Sequence, residues 1–204
     1  MTDAALAPSR AQRPIARDAT RLPLTMDEVL ALQEIGALDG KRTQLLDGEI
    51  HELPSDGLPH IRYAMEITRS LVLGLPRDRF FVGVQTTLHL SPHNGPSPDV
   101  YVLSPGPLVK QTPAERILLV VEVADSSLEA DLTDGAARYA RHGVAEFWVI
   151  DVKGRQTHVH RHPQAGAYPA PLRVPFETPL SPALIAGFDI RLAGFDAPSG
   201  ADEA

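Results

Sequence analysis

Two carboxylates in this sequence stand where carboxylates are expensive. Asp99 opens a short apolar run, Asp99 to Leu103, and Glu122 lies inside a longer one, Ile117 to Val123. Runs of this length, rich in Val, Leu and Ile, read as strands buried on both faces. An acid there must be paired, hydrogen-bonded or bound to a cation. Two such acids on neighbouring strands point to a divalent-metal site. The competing account is structural, with each acid pairing an Arg or capping a helix. Both accounts stand at this level.

Two groups of histidines bear on the same question. His60 follows Pro59 at the start of an apolar-periodic segment, so it falls at a helix N-terminus, where the dipole disfavours its charged form. It is either a surface residue of the cap or a neutral ligand or base beside the acids. His158, His160 and His162 alternate and share one face of a strand. They could bind zinc, but tetrahedral sites normally draw ligands from more than one element. The expectation is therefore an exposed edge strand with its polar face in water.

The positioning elements follow from the pattern. Thr25 and Glu28 have capping-box spacing and start a helix carrying Val29, Leu30, Leu32 and Ile35, with Gly36 as its stop. Asp47-Gly48 between alternating runs predicts a hairpin, with Glu49 just after the turn. A second helix is predicted over Pro59 to Leu73, a strand over Phe80 to Leu90, and a loop over Ser91 to Pro98. Strands follow at Asp99 and at Arg116 to Ala124. Asp125, Ser126 and Ser127 form a turn, and a helix runs from Asp131 to His142, ending at Gly143. Further strands are expected at Glu146 to Val152, Arg155 to Arg161, Leu172 to Val174 and Phe188 to Leu192. This order gives a mixed α/β domain, a central mixed sheet flanked by helices.

The totals limit the function classes. The chain has 204 residues, which suits one domain, here 23–195, between disordered tails at 1–22 and 196–204. Arg10, Arg13, Arg17 and Arg21 precede no apolar stretch, so no secretory signal is read. No apolar run is long enough for a membrane span. Cysteine is absent, which excludes disulfides and thiolate chemistry and fits a reducing cytoplasm. The net charge of −7 argues against tight nucleic-acid binding by the chain alone. It weighs less against an enzyme whose bound cations offset clustered acids.

The segments LTMDEVLAL, LLDGEI, the His60 helix, PSPDVYVLS, ILLVVEVADSSLEADL and YARHGVAEFWVIDV, in this order, carry a family resemblance. Together they resemble the bacterial restriction-endonuclease-like proteins of the PD-(D/E)XK nuclease superfamily, with a weaker match at PLSPALIAGFDIRL. The resemblance implies a restriction-endonuclease-like core and hydrolysis of DNA phosphodiester bonds with Mg²⁺ or Mn²⁺. By analogy Asp99 and Glu122 are the metal-binding acids, Glu49, an acid kept near the metal site, joins them as a metal residue, and His60, a family histidine of the following helix, is a supporting catalytic residue. A homodimer is implied, since cutting two strands uses two sites.

One departure is clear. The superfamily lysine, two residues after the Glu, is Ala124 here. The position to which it migrates in this family is Gly135, and no lysine lies between Lys110 and Lys153. Arg138, about one helical turn on, is the substitute cation. An Arg stabilises charge but holds its proton too firmly to act as a base. The alternative reading is a catalytically inactive module of the same fold that binds or regulates.

Overall fold

The computed structural model describes residues 20–107 and 109–195. The expected tails therefore lie almost wholly outside the described residues. Helix α1 (Met26–Glu34) carries the capping box expected at Thr25, with Thr25 and Glu28 each bonding the other's backbone N–H. Strands β1 (Thr43–Leu46) and β2 (Glu49–Glu52) pair antiparallel about Asp47-Gly48. Both turn residues have positive φ, 48° and 80°, which is why this dipeptide is suited to the position. Met26, Val29 and Leu45 bury a small core between α1 and this hairpin.

The main sheet has six strands in sequence order: β3 (Phe81–Val84), β4 (Val100–Leu103), β5 (Ile117–Ala124), β6 (Glu146–Asp151), β7 (Gln156–Arg161) and β8 (Leu172–Pro175). Only the β5–β6 pair is parallel. Parallel neighbours need a crossover. Here it is a helical segment: α3 (Leu128–Ala130), a π turn (Asp131–Gly135) and α4 (Ala136–Arg141). Helix α2 (Leu58–Gly74) covers the other face. Strand alternation divides the side chains. Leu119, Val121 and Val123 join the core under α2, while Val120 and Ala124 join the core under α4. Glu122 shares the parity of Val120 and Ala124, so it faces the crossover helix. Among the described residues no helix is long and apolar enough to cross a membrane.

Four expectations are corrected. The strand from Phe80 stops at Val84, because Gln85 takes a positive φ of 45° and turns the chain out of the sheet. The crossover helix begins at Leu128, before Asp131. Phe188 to Leu192 is not a strand. Its apolar residues are buried, but its sheet-like contact is a single bridge, Leu180 to Ile190.

The fourth correction concerns the histidines. β7 is not an exposed edge, since β6 and β8 flank it, and His158 and His160 are buried. His162 lies past the strand end and is exposed. His160 stacks on Phe147 at 5.6 Å, and neither ring nitrogen has a hydrogen-bond partner among the described residues. Burial, then the nearby His158, pushes its pKa down from 6.5 to about 4. The native state thus binds this proton more weakly than the unfolded chain. Stability is present above pH 6.5 and lost as pH falls toward about 4. His160→Phe sacrifices no hydrogen bond and should change stability by under about 1 kcal/mol at pH 8. It should flatten the loss of urea midpoint between pH 6.5 and about 4, a slope of up to about 1.4 kcal/mol per pH unit. An unchanged acid slope would assign the lability elsewhere.

Candidate active site

Antiparallel pairing of β4 with β5 sets Val100 opposite Val121, so Asp99 arrives beside Glu122. The backbone N–H of Asp99 donates to Glu122 Oε2 at 3.2 Å, and the N–H of Val123 donates to Asp99 Oδ2 at 2.8 Å. Each acid is thus fastened by the other's strand. On the crossover side, Tyr139 O–H donates to Glu122 Oε1 at 2.8 Å. From α2, His60 Nε2 lies 2.9 Å from Asp99 Oδ2, and its Nδ1 lies 3.7 Å from Asp56 Oδ1. The sequence placed His60 at a helix start. The fold brings that helix start to Asp99, the residue just before β4.

Asp56, His60, Asp99 and Glu122 line a cleft of about 240 Å³ whose wall also includes Asp125, Ser127 and Asp131. Glu122 and Asp131 also border a second cavity of about 600 Å³, where Glu49, Gly135, Arg138 and Arg141 are found. Of the residues singled out in the sequence, Asp99, Glu122 and His60 meet in the inner cleft. Glu49, Gly135 and Arg138 are in the outer one. Glu49 is exposed and ion-paired with Arg21 at 2.6 Å. Among the described residues no three His, Asp or Glu side chains form a ready-made metal cage.

The electrostatics are those of crowded acids. Burial, then the charges of Asp99 and Asp131, raise the Glu122 carboxyl well above its ordinary range, although bonds from Tyr139 and the Asp99 N–H pull the other way. Burial and Asp99 also raise Asp131, against the hydroxyl of Ser127 and the charges of His60 and Arg138. For His60, burial works against the charged ring, but the bond and charge of Asp99, then Asp56 and Asp131, outweigh it and raise its pKa. Tyr139 is held protonated by burial and by Glu122, so it donates to that carboxylate. Arg138 Nε is buried with no partner among the described residues.

The donors suit a hard divalent cation. Two carboxylates with water completing the shell is a common Mg²⁺ arrangement. Asp99 Oδ1 has only a long 3.5 Å contact, from Gln85. A cation would also offset the repulsion that raises Glu122 and Asp131.

Sequence reasoning missed Asp131, Tyr139 and Lys153. Asp131 and Tyr139 are eight residues apart, about 80° out of phase on an ideal helix. The π turn absorbs one residue and brings them to within about 20°. Lys153 Nζ reaches the cleft rim, 3.2 Å from Asp125 Oδ1. The parallel pairing of Ala124 with Asp151 brings the chain after β6 beside the turn after β5.

A family model described as "Putative restriction endonuclease", Uma2, matches residues 26–193. The crystal structure of a "putative nuclease belonging to DUF820" from Anabaena variabilis ATCC 29413 shares 17% identity and a TM-score of 0.67, covering 85% of this chain and 97% of that one. At that identity the likeness is one of fold. No curated protein matches the sequence.

Proposed function

Since this chain belongs to the Uma2 family of restriction-endonuclease-like proteins, we propose that the inner cleft is the site of a divalent-metal-dependent endonuclease acting on DNA phosphodiester bonds. One observation carries the reading. Asp99 and Glu122 are held side by side at an open cleft, with Glu122 raised by burial and by like charge. Asp99 and Glu122 would hold Mg²⁺ or Mn²⁺, with Glu49 and Asp131 at the adjoining cavity adding negative charge. When bound, the ion polarises the phosphodiester and lowers the pKa of a water. The chain's own residues then divide the remaining work. His60, oriented by Asp99 and Asp56, stays protonated to a higher pH than a free imidazole and presents a cation to a phosphate. Arg138, with an unpaired Nε, adds fixed positive charge at the outer cavity. Tyr139 fixes the rotamer of Glu122.

Gly135 supports a second reading, a nuclease fold that binds without turning over. Its backbone is helical, at φ −60° and ψ −55°, and an added Cβ would meet its nearest neighbour at an ordinary 3.7 Å. A lysine therefore fits the backbone there but is not present. Supercoiled plasmid with Mg²⁺ or Mn²⁺ separates the readings. The nuclease reading expects slow nicking, reduced at least about 100-fold in Asp99→Ala and Glu122→Ala and increased in Gly135→Lys. Nicking that survives both alanine substitutions would refute the site. No nicking in wild type or Gly135→Lys would favour the binding module.

A further inference from the structure

Helix α2 is apolar on two sides. Tyr63, Ala64, Ile67 and Leu71 face the sheet and are buried. On the outer side Leu58, Ile61, Met65 and Val72 expose 82%, 39%, 65% and 55% of their surface. An apolar stripe on the outer side of a helix whose inner side is already buried has no partner within this chain's described residues. These residues adjoin β3, an edge strand of the sheet, whose Val84 lies on the same side and is also exposed. Ile61, Met65, Val72 and Val84 line one groove of about 570 Å³. Natural edge strands are usually blunted with charge, proline or a covering element. The sequence of β3, Phe-Val-Gly-Val, contains neither charge nor proline.

We propose that this face is covered by a second copy of the chain, packed about a twofold axis close to Met65. The stripe itself supports that occupant. Leu58, Ile61, Met65, Arg69 and Val72 stand at offsets −7, −4, 0, +4 and +7 from Met65, so the spacing reads the same from either end. Two antiparallel copies of α2 then set Met65 against Met65, Leu58 against Val72, and Ile61 against the aliphatic stem of Arg69. A twofold contact requires this kind of self-complementarity. The area agrees. The five exposed apolar residues of this face offer roughly 400–500 Å² per copy, to which the exposed aliphatic stem of Arg69 adds. A standard interface of about 800 Å² per partner, about 65% apolar in homodimers, needs about 520 Å². Asp56 borders both this groove and the inner cleft, so the contact adjoins the site without occupying it. The inference does not rest on the nuclease reading.

The test uses the full chain and measures mass in solution by light scattering and sedimentation. Wild type is expected as a dimer at micromolar concentration. Met65→Glu combined with Val84→Lys should weaken association at least about 30-fold, the effect of losing one interface hot spot. Its unfolding midpoint measured as a monomer should stay close to wild type, since both side chains are exposed. Because the chain has no cysteine, Met65→Cys is a clean probe and should form a disulfide-linked dimer on mild oxidation. A monomeric wild type at all accessible concentrations would overturn the proposal. So would a dimer that survives the double substitution, or a dimeric Met65→Cys chain that does not cross-link.

Discussion

Glu146→Ala is expected to lower the melting temperature by roughly 10 °C, the largest stability loss predicted for a single side chain here. Glu146 opens β6 and is 1% exposed. Its Oε1 accepts from Trp148 Nε1 at 2.6 Å and from Arg161 Nε at 2.8 Å, and Arg161 Nη2 lies 2.7 Å away. Its Oε2 accepts the backbone N–H of Ala183 at 2.6 Å, tying the C-terminal loop to the sheet. Truncation leaves three donors without an acceptor, one of them a guanidinium. Breaking a buried pair this way costs about 3–5 kcal/mol, which for a chain of this size is about 2–4 °C per kcal/mol. Glu146→Gln should cost roughly half, because Oε1 can remain an oxygen while the amide faces the Ala183 N–H. Thermal melts followed by circular dichroism decide it. A loss under about 2 °C for Glu146→Ala would mean that these donors find other partners.

Glu122→Gln is expected to do the opposite and stabilise the metal-free protein at pH 8 by about 1–2 kcal/mol. The sign follows from linkage. A carboxyl raised in the folded state favours folding below its unfolded value of 4.5, and that contribution is lost as pH rises through the folded pKa. At pH 8 the unfolded chain carries Glu122 ionised, whereas in the fold burial and the neighbouring acids oppose that charge. Glutamine removes that charge and keeps the bonds. Its oxygen accepts from Asp99 N–H, and its amide donates to Tyr139, whose hydroxyl can reverse from donor to acceptor. The gain should vanish below pH 4.5, where both residues are neutral. Added Mg²⁺ should raise the melting temperature of wild type more than that of Glu122→Gln. A Gln variant less stable than wild type at pH 8 would show that the carboxylate is already balanced.

Legibility in the sequence depended on how local each signal was. Asp99 and Glu122 were readable because a carboxylate in an apolar strand needs an explanation whatever surrounds it. The capping box at Thr25 and the turn at Asp47-Gly48 were readable because both are closed within a few residues. The burial of His158 and His160 was not readable. Alternation places them on one face, but only the pairing of β8 with β7 shows that the strand is interior. Asp131 was hidden for a different reason, since helical spacing assumes a constant turn and the π turn breaks it. Lys153 became visible only through strand register, which no single stretch of sequence encodes.

The π turn has one more consequence, for how this segment can vary in length. Substitutions at Thr133 or Asp134, both exposed, leave the phase between Asp131 and Tyr139 untouched. Deleting either residue would let the segment close into a regular α-helix. Asp131 and Tyr139 would then be seven residues apart, about 20° out of phase, so Asp131 would keep the face that Tyr139 turns toward Glu122. In this segment a one-residue gap therefore keeps the phase, whereas one added residue, with the π turn kept, would turn Asp131 about 80° from Tyr139.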